Sequence, residues 1–291
     1  MARRIQVGFV LGVLVLGWSL GVGTVLGEDA TGTTDLLQLM HDLNDVLKPQ
    51  WIDYRIEQIE LLTIGQGRPA ARIHQRDFRW VPGDSRRNAQ DGALTYLVDP
   101  SWGTATSGGV SQPDTEAAID RAMELWAASE CLDFQVVKRE FPGGDVTIFD
   151  YFLDRGEFGD PFAADIVHAG WLSEDSGLLD SDVLGISVTF IFIDPATGEP
   201  TDIDGDNRLD TALNEIYYND RFRWALTGAG EADPNQPVDL ETVVLHESGH
   251  AFGVGHFGAP PQAVMNPTYT GPRQELYPID VAGLCSVWGG W

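Results

Sequence analysis

The sequence predicts an α+β fold, an α/β-type sandwich built on one twisted mixed sheet of about five strands. Short runs rich in β-branched and aromatic residues recur along the chain, the longest at 186–193. These runs alternate with stretches whose apolar residues have helical spacing. With 291 residues, 43% of them apolar, the chain is long enough to bury a large core around such a sheet.

The first 27 residues have the layout of a secretory signal peptide. A basic start precedes an uncharged apolar run at 7–26, and Val25 and Gly27 suit the −3 and −1 positions of a cleavage site. Cleavage would leave Glu28 first and predicts a secreted, extracellular protein without membrane contact. The alternative is an uncleaved anchor, because the run approaches the roughly 20 residues of a membrane span.

The remaining chain is predicted to divide into an N-terminal region at 28–90 and a main domain at 91–291. The segment 81–91 is polar and contains the dibasic pair Arg86 and Arg87. Such a segment is typical of an exposed linker or processing site, which is why we place the boundary there.

Individual elements follow from the apolar patterns. A short helix is expected at 35–48, whereas 51–79 has mixed character. The main domain is expected to contain strands at 93–98, 134–137, 146–149, 165–168, 186–193 and 215–224, a helix starting near Pro113, and a helix at 240–252 that Asp239 can cap.

Charge and cysteine content restrict the class of protein. The chain has 44 acidic against 18 basic residues, a formal net charge of −26, which argues against nucleic acid and anionic membranes as partners. Solubility explains this charge, and a salty habitat or bound calcium are alternatives. The only cysteines, Cys131 and Cys285, are expected to form a disulfide in an exported chain, the alternative being two buried thiols.

One eleven-residue segment, starting at His246, reads His-Glu-Ser-Gly-His-Ala-Phe-Gly-Val-Gly-His. On a helix, His246 and His250 lie one turn apart and point the same way, so their imidazoles converge on one ion. Glu247 then lies beside the ion, in a position that suits a general base. Gly253 can adopt positive φ and turn the chain, so that His256 supplies a third nitrogen. Three histidines leave one tetrahedral position open, the arrangement of a catalytic zinc.

This segment resembles the zinc-binding motif of the metzincin metallopeptidases. In that family a methionine-containing turn follows the motif. Met265 lies in such a turn and would pack beneath the imidazoles. The spacing of Met265, Pro267 and Tyr269 is similar to the matrixin branch, the matrix-metalloproteinase type, and weaker similarities extend over 79–289. The resemblance implies an active-site helix ending at a glycine turn, a Met-turn, a C-terminal helix, and a substrate pocket beside Pro267 and Tyr269.

The sequence departs from the matrixin pattern at three places. Phe257 follows the third histidine, where matrixins usually have serine. Tyr217 stands where their structural zinc has a histidine, so we predict no second zinc and interpret His168 as structural. No cysteine precedes Cys131, so the cysteine switch is missing. If 28–90 is a pro-segment, it must act by steric cover or another ligand; alternatively it is a permanent part of the fold.

An acidic loop follows the longest predicted strand. Its four carboxylates alternate as oxygen ligands of Ca²⁺ do, and they are Asp202, Asp204, Asp206 and Asp210. The loop is not an EF-hand, because Gly205 comes one residue too early and Leu213 replaces the required glutamate. A bound cation would relieve the repulsion among the carboxylates, so we expect structural Ca²⁺; a solvated turn is the alternative.

Taken together, these features predict a secreted zinc-dependent metalloendopeptidase in which Glu247 is the general base for metal-activated water. Protein or peptide substrates are expected, and an extended substrate would pair with the sheet edge near 184–190. A monomer is expected. The rival hypothesis is a catalytically inactive, calcium-stabilised secreted binding module with a vestigial metal site.

Overall fold

The structure, a computed structural model, describes residues 36–47, 53–64, 77–87, 92–100, 109–144, 146–147, 163–172, 179–226 and 236–289. The predicted signal peptide at 1–27 lies outside these residues. Within the described ranges, no helix is long and apolar enough to cross a bilayer.

Four helices occur in the described part of the chain: α1 (Leu36–Leu47), α2 (Gln112–Ala127), α3 (Leu240–Ala251) and α4 (Pro278–Trp288). All three helices expected from apolar spacing are therefore present. Helix α2 begins beside Pro113, where the Ser111 side chain accepts a hydrogen bond from the backbone of Asp114. Helix α3 is capped by Asp239, as predicted, because its carboxylate accepts from the backbone N–H of Thr242 at 2.9 Å.

The strands are β1 (Tyr54–Ile64), β2 (Phe78–Arg79), β3 (Leu94–Val98), β4 (Val136–Lys138), β5 (Ile166–Leu172), β6 (Val183–Phe192), β7 (Leu209–Asn219), β8 (Trp224–Ala225), β9 (Val238–Asp239) and β10 (Thr268–Tyr269). One mixed sheet has the order β10-β1-β6-β7-β5-β3-β4, with β2 pairing to the start of β7. The α+β prediction is confirmed, and the sheet has eight strands instead of about five.

Strand β1 is the largest addition to the predicted sheet. It runs antiparallel to β6, from Tyr54 opposite Phe192 to Thr63 opposite Val183. Its mixed sequence character comes from four buried polar residues, Glu57, Gln58, Glu60 and Thr63. Of the expected strand at 146–149, Val146 and Thr147 are buried but lie in no strand, and 148–149 are outside the described residues.

Apolar side chains cover both faces of the sheet. One cluster joins α2, α3 and α4 to the first face, with Trp126 and Phe252 near its centre. The second cluster joins α1 to the opposite face, where Leu43 packs with Ile59 and Tyr217 among others. Helix α3 therefore lies on the first face of the sheet and α1 on the other.

The segment 81–87 is not the exposed linker that its polarity predicts. Arg87 is only 2% exposed, and it donates to both carboxylate oxygens of Asp165 at 2.9 Å. It also donates to the carbonyls of Val81 and Ala93. These partners compensate the burial of the guanidinium group, so Arg87 belongs to the folded core. The proposed boundary at residue 90 remains a prediction.

The predicted Cys131–Cys285 disulfide is present, with the two Cα atoms 5.3 Å apart. It connects the segment that follows α2 to the middle of α4. This bond therefore ties the chain just beyond α2 to α4, which covers the same face of the sheet as α2.

Candidate metal centre

The three predicted histidine ligands meet at one point. His246 and His250 lie on consecutive turns of α3, and their Nε2 atoms are 3.1 Å apart. Gly253 ends this helix with φ of +85°, and the returning chain brings His256 into place. The Nε2 atom of His256 lies 3.1 Å from that of each helical histidine.

Hydrogen bonds to the Nδ1 atoms of the helical histidines determine which ring nitrogen carries the hydrogen. The Nδ1 atom of His246 is 2.8 Å from the carbonyl oxygen of Val264, and that of His250 is 2.8 Å from the carbonyl oxygen of Val254. Because a carbonyl only accepts, each Nδ1 carries a hydrogen. Burial also lowers the pKa of His246 well below its usual range, which favours the neutral ring. Both Nε2 atoms therefore present lone pairs to the same point.

The size of this nitrogen triangle fits zinc. Three nitrogens 3.1 Å apart converge closely enough to share one ion at the roughly 2.0 to 2.1 Å of zinc–nitrogen bonds. Converging lone pairs repel one another unless a cation lies between them. The residues present therefore fit a three-histidine zinc site with an open fourth position.

Glu247 lies beside the histidines and is fully buried between α3 and β6. Gly185 of β6 makes this possible, since a Cβ atom there would lie 2.8 Å from Oε1 of Glu247. Burial raises the pKa of Glu247 well above its usual range, and the Glu60 carboxylate raises it further. The backbone of Leu62 acts in the opposite direction. Sequence reasoning missed Gly185, although a glycine inside a β-branched run indicates close approach by another group.

Met265 packs beneath the histidine helix. Gly249 leaves room for it, because a side chain at that position would collide with the sulfur of Met265. The carboxylate of Asp280 holds the turn by accepting from the backbone N–H groups of Val264 at 2.9 Å and of Met265 at 3.1 Å. The anchoring role of Asp280 was not predicted.

The comparisons with known proteins agree with this geometry. Residues 185–289 match the family model for matrixin. Metalloendoproteinase 2-MMP of Arabidopsis thaliana is 29% identical over 219 residues, which cover 73% of this chain and 45% of that protein. Matrix metalloproteinase-19 of Mus musculus is 45% identical over 56 residues, 19% of this chain and 10% of that protein. Karilysin of Tannerella forsythia is 29% identical over 85 residues, 25% of this chain and 16% of that protein.

Residues 185–289, about a third of the chain, are therefore similar to matrixin. The chain spans less than half the length of each of these curated relatives.

Two departures from the matrixin pattern, Phe257 and Tyr217, have packing explanations in the structure. Phe257 packs against Gly283 of α4, where an added Cβ atom would collide with its ring. Tyr217 is buried in the sheet and donates to Glu215 at 2.9 Å. His168 is also buried, with Nδ1 2.9 Å from the hydroxyl of Tyr218. Burial lowers the pKa of His168 to about 3, so the ring is neutral.

Tyr269 and Pro267, beside which the family resemblance placed a substrate pocket, contact neighbouring segments of the chain. Tyr269 is 2% exposed, and its hydroxyl accepts from the backbone of Asp239 at 3.1 Å. Pro267 is half-buried, and its carbonyl accepts from the side chain of Thr63. The expectation that the β6 edge at 184–190 is open is wrong, because β1 already pairs with it.

The acidic loop brings together three of its four aspartates. Asp202, Asp204 and Asp210 offer oxygen atoms that lie within 4.8 Å of one another. Asp206 instead faces Arg79, whose guanidinium is 2.8 Å from its carboxylate and 3.0 Å from that of Asp204. The guanidinium of Arg79 therefore neutralises part of the negative charge that, from the sequence, we expected calcium to neutralise.

Proposed function

We propose that this chain is a secreted zinc-dependent metalloendopeptidase that hydrolyses peptide bonds in proteins, with Glu247 as general base. The convergence of three Nε2 atoms, 3.1 Å apart, next to a carboxylate on the same helix is the observation that carries this proposal. The matrixin family match supports it. Secretion rests on the N-terminal sequence alone.

The side chains have distinct tasks in this mechanism. Zinc, when bound, supplies Lewis-acid chemistry and lowers the pKa of water. Glu247 accepts a proton from the attacking water and returns it to the departing amine. The carbonyls of Val264 and Val254 fix the tautomers and ring orientations of His246 and His250. Met265 supports the histidine helix from below.

Calcium is proposed as a structural ion at Asp202, Asp204 and Asp210. Carboxylate oxygens are its preferred ligands, and these three come from one short loop at the start of β7. Its effect would be to rigidify the loop. Asp206 is not included, because its carboxylate does not belong to the group of oxygen atoms that lie within 4.8 Å of one another.

Cleavage of casein or gelatin by the purified full chain tests the peptidase proposal. We expect wild type and Glu247→Ala to bind one zinc each, and Glu247→Ala to cleave about 10²- to 10⁴-fold more slowly because it lacks the base. Glu241→Ala is the matched control, since Glu241 lies on the same helix but pairs with Arg121 at the surface. Equal cleavage by wild type and Glu247→Ala would refute the proposal.

A further inference from the structure

The third histidine of the metal centre is attached to the fold differently from the other two. His246 and His250 lie on α3, whose helical geometry fixes them one turn apart. His256 instead lies in an irregular segment at 254–258, and an exposed loop at 258–262 follows it. Contacts from other parts of the chain are therefore needed to keep its Nε2 atom 3.1 Å from those of the helical pair.

Phe257, the next residue in the chain, is held at both of its backbone groups. Its N–H donates to the carbonyl of Met265 at 2.8 Å, and its carbonyl accepts from Nδ2 of Asn266 at 3.0 Å. Its ring packs against Gly283 of α4. Because His256 and Phe257 share a planar peptide unit, contacts that fix Phe257 also restrict the backbone of His256.

The side-chain amide of Asn266 makes every hydrogen bond that an amide can make. Its Oδ1 accepts from the backbone N–H of Ala263 at 2.9 Å and from Nη1 of Arg273 at 3.2 Å. Its Nδ2 donates to the carbonyls of Phe257 and Pro261 at 3.0 and 3.3 Å. Asn266 is only 3% exposed, so these partners replace water on all sides of the amide.

The partners also fix the orientation of the Asn266 amide. The guanidinium of Arg273 and the N–H of Ala263 only donate, so they must face the oxygen. The two carbonyls only accept, so they must face the NH₂ group. An ionised carboxylate or an apolar side chain of the same shape satisfies only part of this set. The site therefore requires an amide at this position.

We propose that Asn266 is a positioning residue for zinc, which acts by tying Phe257, and with it His256, to the turn that carries Met265. This inference rests on the proposed function, because it concerns the same metal centre. When the bonds from Nδ2 are removed, α3 still holds His246 in place, whereas His256 moves away from it. The zinc then loses the third of its nitrogen ligands.

Two substitutions of Asn266 in the full chain test the proposal. Asn266→Asp keeps the shape of the side chain and an acceptor for Ala263 and Arg273, but at pH 7 it cannot donate to the carbonyls of Phe257 and Pro261. Asn266→Ser is neutral and shorter. It separates the lost bonds from the added charge, and it is the second variant if the aspartate prevents folding.

Asn219→Asp is the matched control, because Asn219 makes similar bonds at the end of β7. Asn219 is 1% exposed, and its Nδ2 donates to the carbonyls of Val183 at 2.8 Å and Asp180 at 3.5 Å. Its Oδ1 accepts from the backbone N–H of Arg221 at 3.0 Å. Its substitution therefore removes the same kind of buried bonds from a different part of the fold.

Zinc affinity is measured by competition with a chelator, and urea unfolding of the metal-free proteins is measured in parallel. We expect both Asn266 variants to bind zinc about 10- to 100-fold more weakly than wild type, the usual effect of removing a group that orients a metal ligand. Asn219→Asp should lose metal-free stability but keep the zinc affinity of wild type. Wild-type affinity in the Asn266 variants, or an equal loss in Asn219→Asp, would overturn the proposal.

Co²⁺ in place of zinc reports on the ligands themselves, because its visible absorption depends on their number and kind. We expect wild type and Asn219→Asp to share one spectrum, and the Asn266 variants to differ from it through the loss of a nitrogen ligand. Identical spectra in all four proteins would overturn the proposal. If the Asn266 variants behave as expected but zinc-loaded wild type cleaves no substrate, the proposed peptidase function fails and the positioning role of Asn266 stands.

Discussion

The buried ion pair between Arg87 and Asp165 makes a sharp stability prediction. Their side chains are 1% and 2% exposed, and the Asp165 carboxylate also accepts from the backbone N–H and hydroxyl of Thr95 at 2.7 and 2.8 Å. Arg87→Met keeps the apolar stem but leaves Asp165 as a buried charge without its cation. Removing one partner of such a pair costs about 3 to 5 kcal/mol, a large part of the roughly 5 to 15 kcal/mol that stabilises a typical domain.

Urea unfolding at pH 7 measures this loss directly, provided that the transition is two-state. Arg121→Met is the control, because Arg121 pairs with Glu241 at the surface and is 49% exposed, so that we expect a loss below about 1 kcal/mol. Adding Asp165→Asn to Arg87→Met should recover part of the stability by removing the buried charge. A loss for Arg87→Met no larger than that for Arg121→Met would refute the interpretation of this pair as part of the core.

Three further predictions concern the site and its supports. Gly185→Ala should lower the cleavage rate at least ten-fold with zinc content unchanged, because the new Cβ atom would displace Glu247; unchanged cleavage would contradict this. The folded-state pKa of His168 is about 3 against about 6.5 unfolded, so stability falls as pH drops from 6.5 toward 3, by about 2 kcal/mol at pH 5. The unfolding free energy of wild type should therefore be lower at pH 5 than at pH 7.5, and His168→Gln should reduce this difference by about 2 kcal/mol. A variant with the same difference as wild type would contradict this assignment to His168. Added Ca²⁺ should raise the Tm of wild type and of Asp206→Asn but not of Asp202→Asn with Asp204→Asn, and equal shifts in all three would remove the calcium proposal.

The metal centre was predictable from the sequence because local geometry determines it. The helical period places His246 and His250 together, and Gly253 supplies the positive φ that returns the chain to His256. Asp239 caps the helix through a bond to a residue three positions away. Contacts between residues that are close in the chain can be predicted from the spacing of those residues in the sequence.

Long-range contacts account for what the sequence did not reveal. The residues near Tyr54 in the sequence do not indicate that it lies opposite Phe192. Glu60 has the character of a surface residue in the sequence, but it lies in a strand that pairs with the distant β6. Arg87 likewise resembles part of a dibasic processing site in the sequence, whereas in the structure it pairs with Asp165, which is distant in the chain. In each case a polar residue was interpreted by its neighbours in sequence, whereas its burial depends on a partner from another part of the chain.

The pairing of β1 with β6 also has a consequence for self-association. Strand β6 reads Val-Leu-Gly-Ile-Ser-Val-Thr-Phe-Ile-Phe, with no charge or proline to discourage pairing with another chain. Because β1 pairs with β6 along most of its length, it also prevents this apolar edge from pairing with a second molecule. Variants that weaken the pairing of β1 with β6 should therefore be less soluble than wild type.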